Sequence, residues 1–161
     1  MVLPHARALL ERTTPNTDTT QTSRLFNELG LYLAGQGDLR TAIGYLTRAG
    51  DRYQPLFGPD HPNTLTARNN LAGAYDLAGD LGRAIPLSEA TFADRERVLG
   101  PDHPDTLVSR NNLAYAYQAA GDSGRAIPLY EATLTDSERV LGADHPTTRT
   151  IRSSLDGVRS A

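Results

Sequence analysis

The stretch Gly100–Tyr117, GPDHPDTLVSRNNLAYAY, nearly copies Gly58–Tyr75, GPDHPNTLTARNNLAGAY, which lies 42 residues earlier. Extending the comparison to Pro59–Gly100 and Pro101–Gly142 gives 31 identities in 42 positions without a gap. Duplication at such a period marks a stack of identical supersecondary units, each unable to bury its apolar face alone, rather than one closed core. Thr17–Gly58 matches its successor at ten positions, among them Asn27/Asn69, Leu29/Leu71, Gly37/Gly79, Asp38/Asp80, Ala42/Ala84 and Ile43/Ile85. A further half-unit starts at Ala143 with ADHPTTRTIRSSL, which keeps Asp144, His145, Pro146, Thr148, Arg152 and Leu155 in register. The reading is one domain over 1–161: an N-terminal helix in 1–16, repeats at 17–58, 59–100 and 101–142, and a capping half-repeat at 143–161.

Punctuation within each unit predicts two helices. In the middle copy Pro62 stands where a first-turn proline is tolerated, with Asp60 or His61 before it as cap, and Leu65, Leu71, Ala72 and Tyr75 make one apolar stripe. Gly79-Asp80 supplies a turn: glycine takes a positive φ cheaply, and the aspartate accepts a backbone hydrogen bond at the next helix start. The longer second helix, LGRAIPLSEATFADRERVL, ends at Gly100. Pro86 and Pro128 fall inside such helices, which predicts a tolerated bend early in each.

Composition removes several function classes. The 161 residues hold no cysteine and no lysine, so disulfides, thiolate metal sites, Schiff-base lysines and the P-loop lysine are all excluded. A net charge of −3 offers no broad positive field for nucleic acid. No apolar run approaches the roughly 20 residues of a membrane span, and MVLPHARALLERT lacks the continuous apolar core of an export signal. Leu3, Ala6, Leu9 and Leu10 suit a short helix that covers the first repeat or remains from a longer array.

Two helices per unit, a Gly-Asp turn and an alanine four residues after the aspartate resemble the tetratricopeptide repeat over Thr17–Leu155. Phe26, Leu29, Gly30, Leu33, Ala42, Leu46 and Ala49 fall at the spacing of that family's large and small positions. The 42-residue length, with LGPDHPDT and NNLA, is similar to the longer variety of kinesin light chains and of sensor arrays in actinobacterial STAND-type regulators. The resemblance implies an all-α superhelical solenoid with a concave side lined by the first helices, a bacterial cytoplasmic location, and binding of a protein or extended peptide there. Arg68, Arg110 and Arg152 depart from the shorter repeat, which has a large aromatic at that place; they are expected to pack the stem and send the head to water.

On helical spacing, the free face of the first helix carries Arg24, Asn27, Glu28 and Leu31 in copy one. Copy two supplies Thr66, Asn69, Asn70, Gly73 and Asp76, and copy three Val108, Asn111, Asn112, Tyr115 and Gln118. Asn27, Asn69 and Asn111, about 10 Å apart in adjacent layers, each offer a donor and an acceptor for the main chain of a bound peptide. The same asparagines can instead hydrogen-bond between repeats and hold their pitch, and the two roles are compatible. Specificity then belongs to positions that differ between copies: Arg24, Glu28, Gly73, Asp76, Tyr115 and Gln118. In the last helix Asp156 and Arg159 replace Ala114 and Tyr117, as a polar cap requires.

His61, His103 and His145 recur between an aspartate and a proline, one per layer, which suits capping and not a shared metal ion. GxSxG, HExxH and GxGxxG are absent. Glu89/Glu131 and Asp94/Asp136 with Arg95, Arg97 and Arg139 read as a solvated face with i,i+3 and i,i+4 pairs. The sequence therefore predicts a non-catalytic protein- or peptide-binding scaffold without cofactor or metal. The alternative is a self-associating structural piece, a possible homo-oligomer, or the sensor arm of a larger nucleotide-switch regulator.

Overall fold

The computed structural model describes residues 20–160. Seven helices follow one another there, with no strand among the described residues: α1 (Thr20–Gly35), α2 (Leu39–Phe57), α3 (Pro62–Leu77), α4 (Leu81–Leu99), α5 (Pro104–Ala119), α6 (Ser123–Leu141) and α7 (Pro146–Ser160). The helix suggested for Leu3–Leu10 lies outside the described residues.

The turn chemistry is the one the repeat dictates. Asp38, Asp80 and Asp122 cap α2, α4 and α6 by accepting from the backbone N–H of Thr41, Arg83 and Arg125. Before each cap the chain must reverse, and Gly79, at φ +73°, does so in a region a Cβ disfavours. The first helices use a histidine instead: Nδ1 of His61, His103 and His145 accepts from the N–H two residues on, at 3.1, 3.1 and 3.2 Å. Each imidazole thereby fills one orphan donor of a helix start. Pro86 and Pro128 sit in the second turn of α4 and α6, and both helices continue unbroken around them.

The described residues divide into two compact units, one ending at Ala74 and the other beginning at Tyr75. In the first, α1 and α2 form an antiparallel hairpin whose core joins Phe26, Leu29, Tyr45, Ala49 and Tyr53 to Ala67 of α3. Gly30 lets the hairpin close: a Cβ there would stand 2.6 Å from Cγ of Leu46, which is fully buried. Thr64 ties α3 to the preceding turn by donating to the Gly58 carbonyl at 2.9 Å.

In the second unit α5 packs on α4 and α6, and α7 on α6 and α5. Leu113, Ala114, Tyr117, Ala126, Tyr130, Ile151, Leu155 and Val158 form the core, with Phe92, Ile85 and Leu134 against it. Helix α7 turns Ile151, Leu155 and Val158 inward and leaves Arg149, Ser153 and Asp156 exposed, so it closes the core with a polar outer face.

Two expectations about arginines need correction. Arg68 and Arg152 do reach out, donating to Gln54 at 3.1 Å and Glu138 at 2.7 Å, but the Arg110 side chain is only 10% exposed and donates to Asp136 at 2.6 Å. Its head pairs inside the hairpin instead of reaching water. Arg97 and Arg139 form the expected i,i+3 pairs with Asp94 and Asp136, both at 3.1 Å. Arg95 does not belong to that solvated face: it is buried at 3% exposure and donates to the Asp105 carbonyl at 3.0 Å and to Ser109 at 2.8 Å. Burial pulls its pKa down, and the Asp105 charge opposes the fall.

Candidate functional site

The first-helix residues singled out by spacing separate into two environments. In the first unit Arg24 and Glu28, one turn apart on α1, form a solvent-exposed ion pair at 2.7 Å. Asn27 lies behind them, half-buried, and its Oδ1 accepts from Nδ2 of Asn70 on α3 at 3.0 Å. That bond joins one repeat to the next, so for Asn27 and Asn70 the pitch-holding role is realised in the geometry. Arg24, Asn27 and Glu28 also line a cleft of about 340 Å³ with Tyr53, Asn63 and Thr66. Burial raises the Tyr53 phenol pKa while the Arg24 charge opposes the rise. Leu31 stands apart on the same helix, 45% exposed.

In the second unit the relevant side chains gather around one hydroxyl. Tyr130 of α6 is fully buried and donates to Oε1 of Gln118 on α5 at 3.0 Å. Ser154 of α7 also bonds to it, and Tyr115 and Asp76 lie close enough to act on it electrostatically. Burial foremost pushes the Tyr130 pKa up to about 12, with Tyr115 and Asp76 adding to the rise and the Ser154 hydrogen bond opposing it. Asp76, near the end of α3, has a buried Oδ1 with no hydrogen-bond partner, and burial raises its pKa. Asn111, two helical turns before Gln118, likewise has a buried Oδ1 without a partner. Tyr115, between them on the same face, is 48% exposed. Asn69 and Asn112 are half-buried on α3 and α5.

Tyr130 escaped the sequence reading because it sits on a second helix, a position assigned to packing. The signal in the period is that Tyr130 replaces Leu46 and Ser88 of the earlier copies, while its acceptor Gln118 replaces Ala34 and Asp76. No group of acidic, histidine or cysteine side chains among the described residues is arranged to hold a metal ion.

The sequence profile of the tetratricopeptide repeat matches residues 21–93 and again residues 106–147. The chain belongs to the tetratricopeptide-repeat family. Its fold is similar to the TPR-like repeats of a Podosopora anserina protein described as a kinesin light chain, at 28% identity and a TM-score of 0.78 over 84% of this chain and 65% of that one. A single-substitution form of those repeats gives 26% identity and 0.79 over 88% and 68%. BtubC (BKLC) of P. vanneervenii shares the fold, at 16% identity and a TM-score of 0.66 over 96% of this chain and 70% of that one. This tetratricopeptide chain is thus all-α and of the kinesin-light-chain-like variety. By sequence it is 29% identical over 70 residues to clustered mitochondria protein homologues of Aspergillus clavatus and Aspergillus oryzae, a match that covers 44% of this chain and 6% of theirs. Tetratricopeptide repeats are in general protein-interaction scaffolds without catalytic activity. No described helix is long and apolar enough to cross a membrane.

Proposed function

We propose that the chain is a non-catalytic scaffold that binds a protein, through an extended segment, on the first-helix faces of α1, α3 and α5. The observation that carries this reading is the polar face of the second unit, where Tyr115 is 48% exposed and the buried acceptors Asp76 Oδ1 and Asn111 Oδ1 are unfilled. A folded chain rarely leaves such atoms without partners, because each costs free energy that a hydrogen bond would recover. A bound segment supplies the missing donors from its main chain or side chains. Arg24, Glu28 and Leu31 on α1, and Asn69 and Asn112 on α3 and α5, are the further contacts of this reading.

No cofactor, nucleic acid or membrane enters the proposal, and the place of action is the cytoplasm. The sequence relatives named above are fungal, so a bacterial source rests only on the resemblance of the repeat to bacterial sensor arrays. The test is peptide display against the chain, followed by Asn69→Ala with Asn111→Ala. Loss of capture with helicity retained supports the reading. A melting collapse with capture per folded molecule unchanged contradicts it and makes the asparagines architectural.

A second reading, self-association, draws on the exposed apolar side chains Leu25, Leu31 and Tyr32 of α1. Such a patch is a candidate protein contact. Light scattering decides: a concentration-dependent dimer favours it, and a monomer at all concentrations removes it.

A further inference from the structure

We propose that the cleft of the first unit is a subsite for one uncharged carboxamide, the side chain of a glutamine or asparagine in the bound segment. This rests on the scaffold reading above and names a residue type that it would select.

The cleft exists because one place in the repeat is filled differently in each copy. Tyr53, Arg95 and Ser137 are equivalent at the 42-residue period. In the second unit that place is closed from within. Arg95 donates to the Asp105 carbonyl at 3.0 Å and to Ser109 at 2.8 Å, and Ser137 pairs with Thr148 at 2.7 Å. Tyr53 is buried as deeply, at 4% exposure, but its hydroxyl has no hydrogen-bond partner among the described residues. It lines the opening of about 340 Å³ instead, a volume at the small end of ligand clefts.

The other walls supply donors and a compensated pair of charges. Asn27 Oδ1 is taken by Asn70 at 3.0 Å, so Asn27 offers the cleft chiefly its Nδ2 donors. Arg24 and Glu28 form their ion pair at 2.7 Å in places that hold the uncharged Thr66 and Asn70 in the second copy, and Val108 and Asn112 in the third. Such walls reject ions of either sign. A carboxylate would meet Glu28, and a cation would meet Arg24 and the Asn27 donors, with no unpaired counter-ion in the cleft to hold either. An apolar side chain would leave the phenol and the amide without partners. A carboxamide satisfies both: its oxygen accepts from Asn27 Nδ2 and the Tyr53 hydroxyl, and its amino group donates to the Glu28 oxygen that Arg24 does not hold.

The test is an NMR titration of the full chain with N-acetyl-L-glutamine N-methylamide and, in parallel, with its glutamate and norleucine analogues. Saturable shifts at the Asn27 side-chain amide and at the backbone amides around Tyr53 are expected for the glutamine compound, with each analogue about tenfold weaker. Tyr53→Phe removes only the hydroxyl, and it should weaken the glutamine compound severalfold without lowering Tm, since that hydroxyl has no partner in the folded chain to lose. Equal binding of the glutamine and glutamate compounds, no saturable shift, or glutamine binding unchanged in Tyr53→Phe overturns the subsite. Display-selected peptides that carry neither glutamine nor asparagine and still shift the same cleft signals also overturn it, and they leave the scaffold reading intact. Glutamine-compound binding without any peptide capture supports the subsite and counts against the scaffold reading.

Discussion

Asp76 is the residue at which stability and the proposed binding role pull apart. Its raised pKa means that folding disfavours the ionised form, so its favourable contribution exists below the ordinary aspartate range and is lost as pH rises through the raised value. Asp76→Asn is therefore expected to raise Tm at pH 7, with the gain shrinking to nothing below about pH 4; thermal melts across that range check it. A lower Tm in the variant at pH 7 would mean the carboxylate has a partner in the folded chain. Gly30 tests packing at the same scale. Gly30→Ala places a methyl against Leu46 and is expected to cost about 1–3 kcal/mol, read by chemical denaturation. Ala72 and Ala114 fill the equivalent places in the other copies, so the steric limit belongs to the first hairpin. Spacing puts Tyr115 and Gln118 on one face of α5, because the 3.6-residue period determines which residues of a helix align. It did not place Tyr130 there, since that contact depends on how a second helix leans on its neighbours, which no single-helix periodicity encodes.

Helix starts were the most legible elements. Gly-Asp and Asp-His-Pro are local signals, because a cap satisfies donors within three residues of itself and does not depend on tertiary packing. The pKa values of Asp80 and Asp122 are lowered chiefly by side-chain hydrogen bonds from Arg83 and Arg125. Depressed carboxylates stabilise the fold above the unfolded pKa and lose that contribution as pH falls through the folded one. Asp80→Ala combined with Asp122→Ala is expected to lower Tm by a few degrees at pH 7 and to converge on the parent chain below about pH 3. Circular-dichroism melts at both values measure this, and a gap that stays constant with pH would show that the caps act through shape alone. Arginine placement was less legible. Arg110 and Arg95 occupy positions that look solvent-facing or loosely packed in sequence, yet Asp136, Ser109 and the Asp105 carbonyl lie where their heads turn inward. Those acceptors come from other helices, at separations of 10 to 26 residues.

For the whole molecule, the all-α repeat architecture is legible in the period alone, since 31 matches in 42 positions leave no room for a single irregular core. The use of the asparagines was not legible in the same way. Asn27 and Asn70 bond to each other across repeats, whereas Asn111 leaves an acceptor open, although Asn27 and Asn111 stand at identical places in the period. Identical residues acquire different roles because their neighbours differ. The account's central claim, that partners bind along the first helices, is tested most directly by amide chemical-shift mapping with a display-selected peptide. The account predicts perturbations concentrated on α1, α3 and α5, including Asp76, Asn111 and Tyr115. Perturbations confined to the exposed faces of α2, α4 and α6 would contradict it.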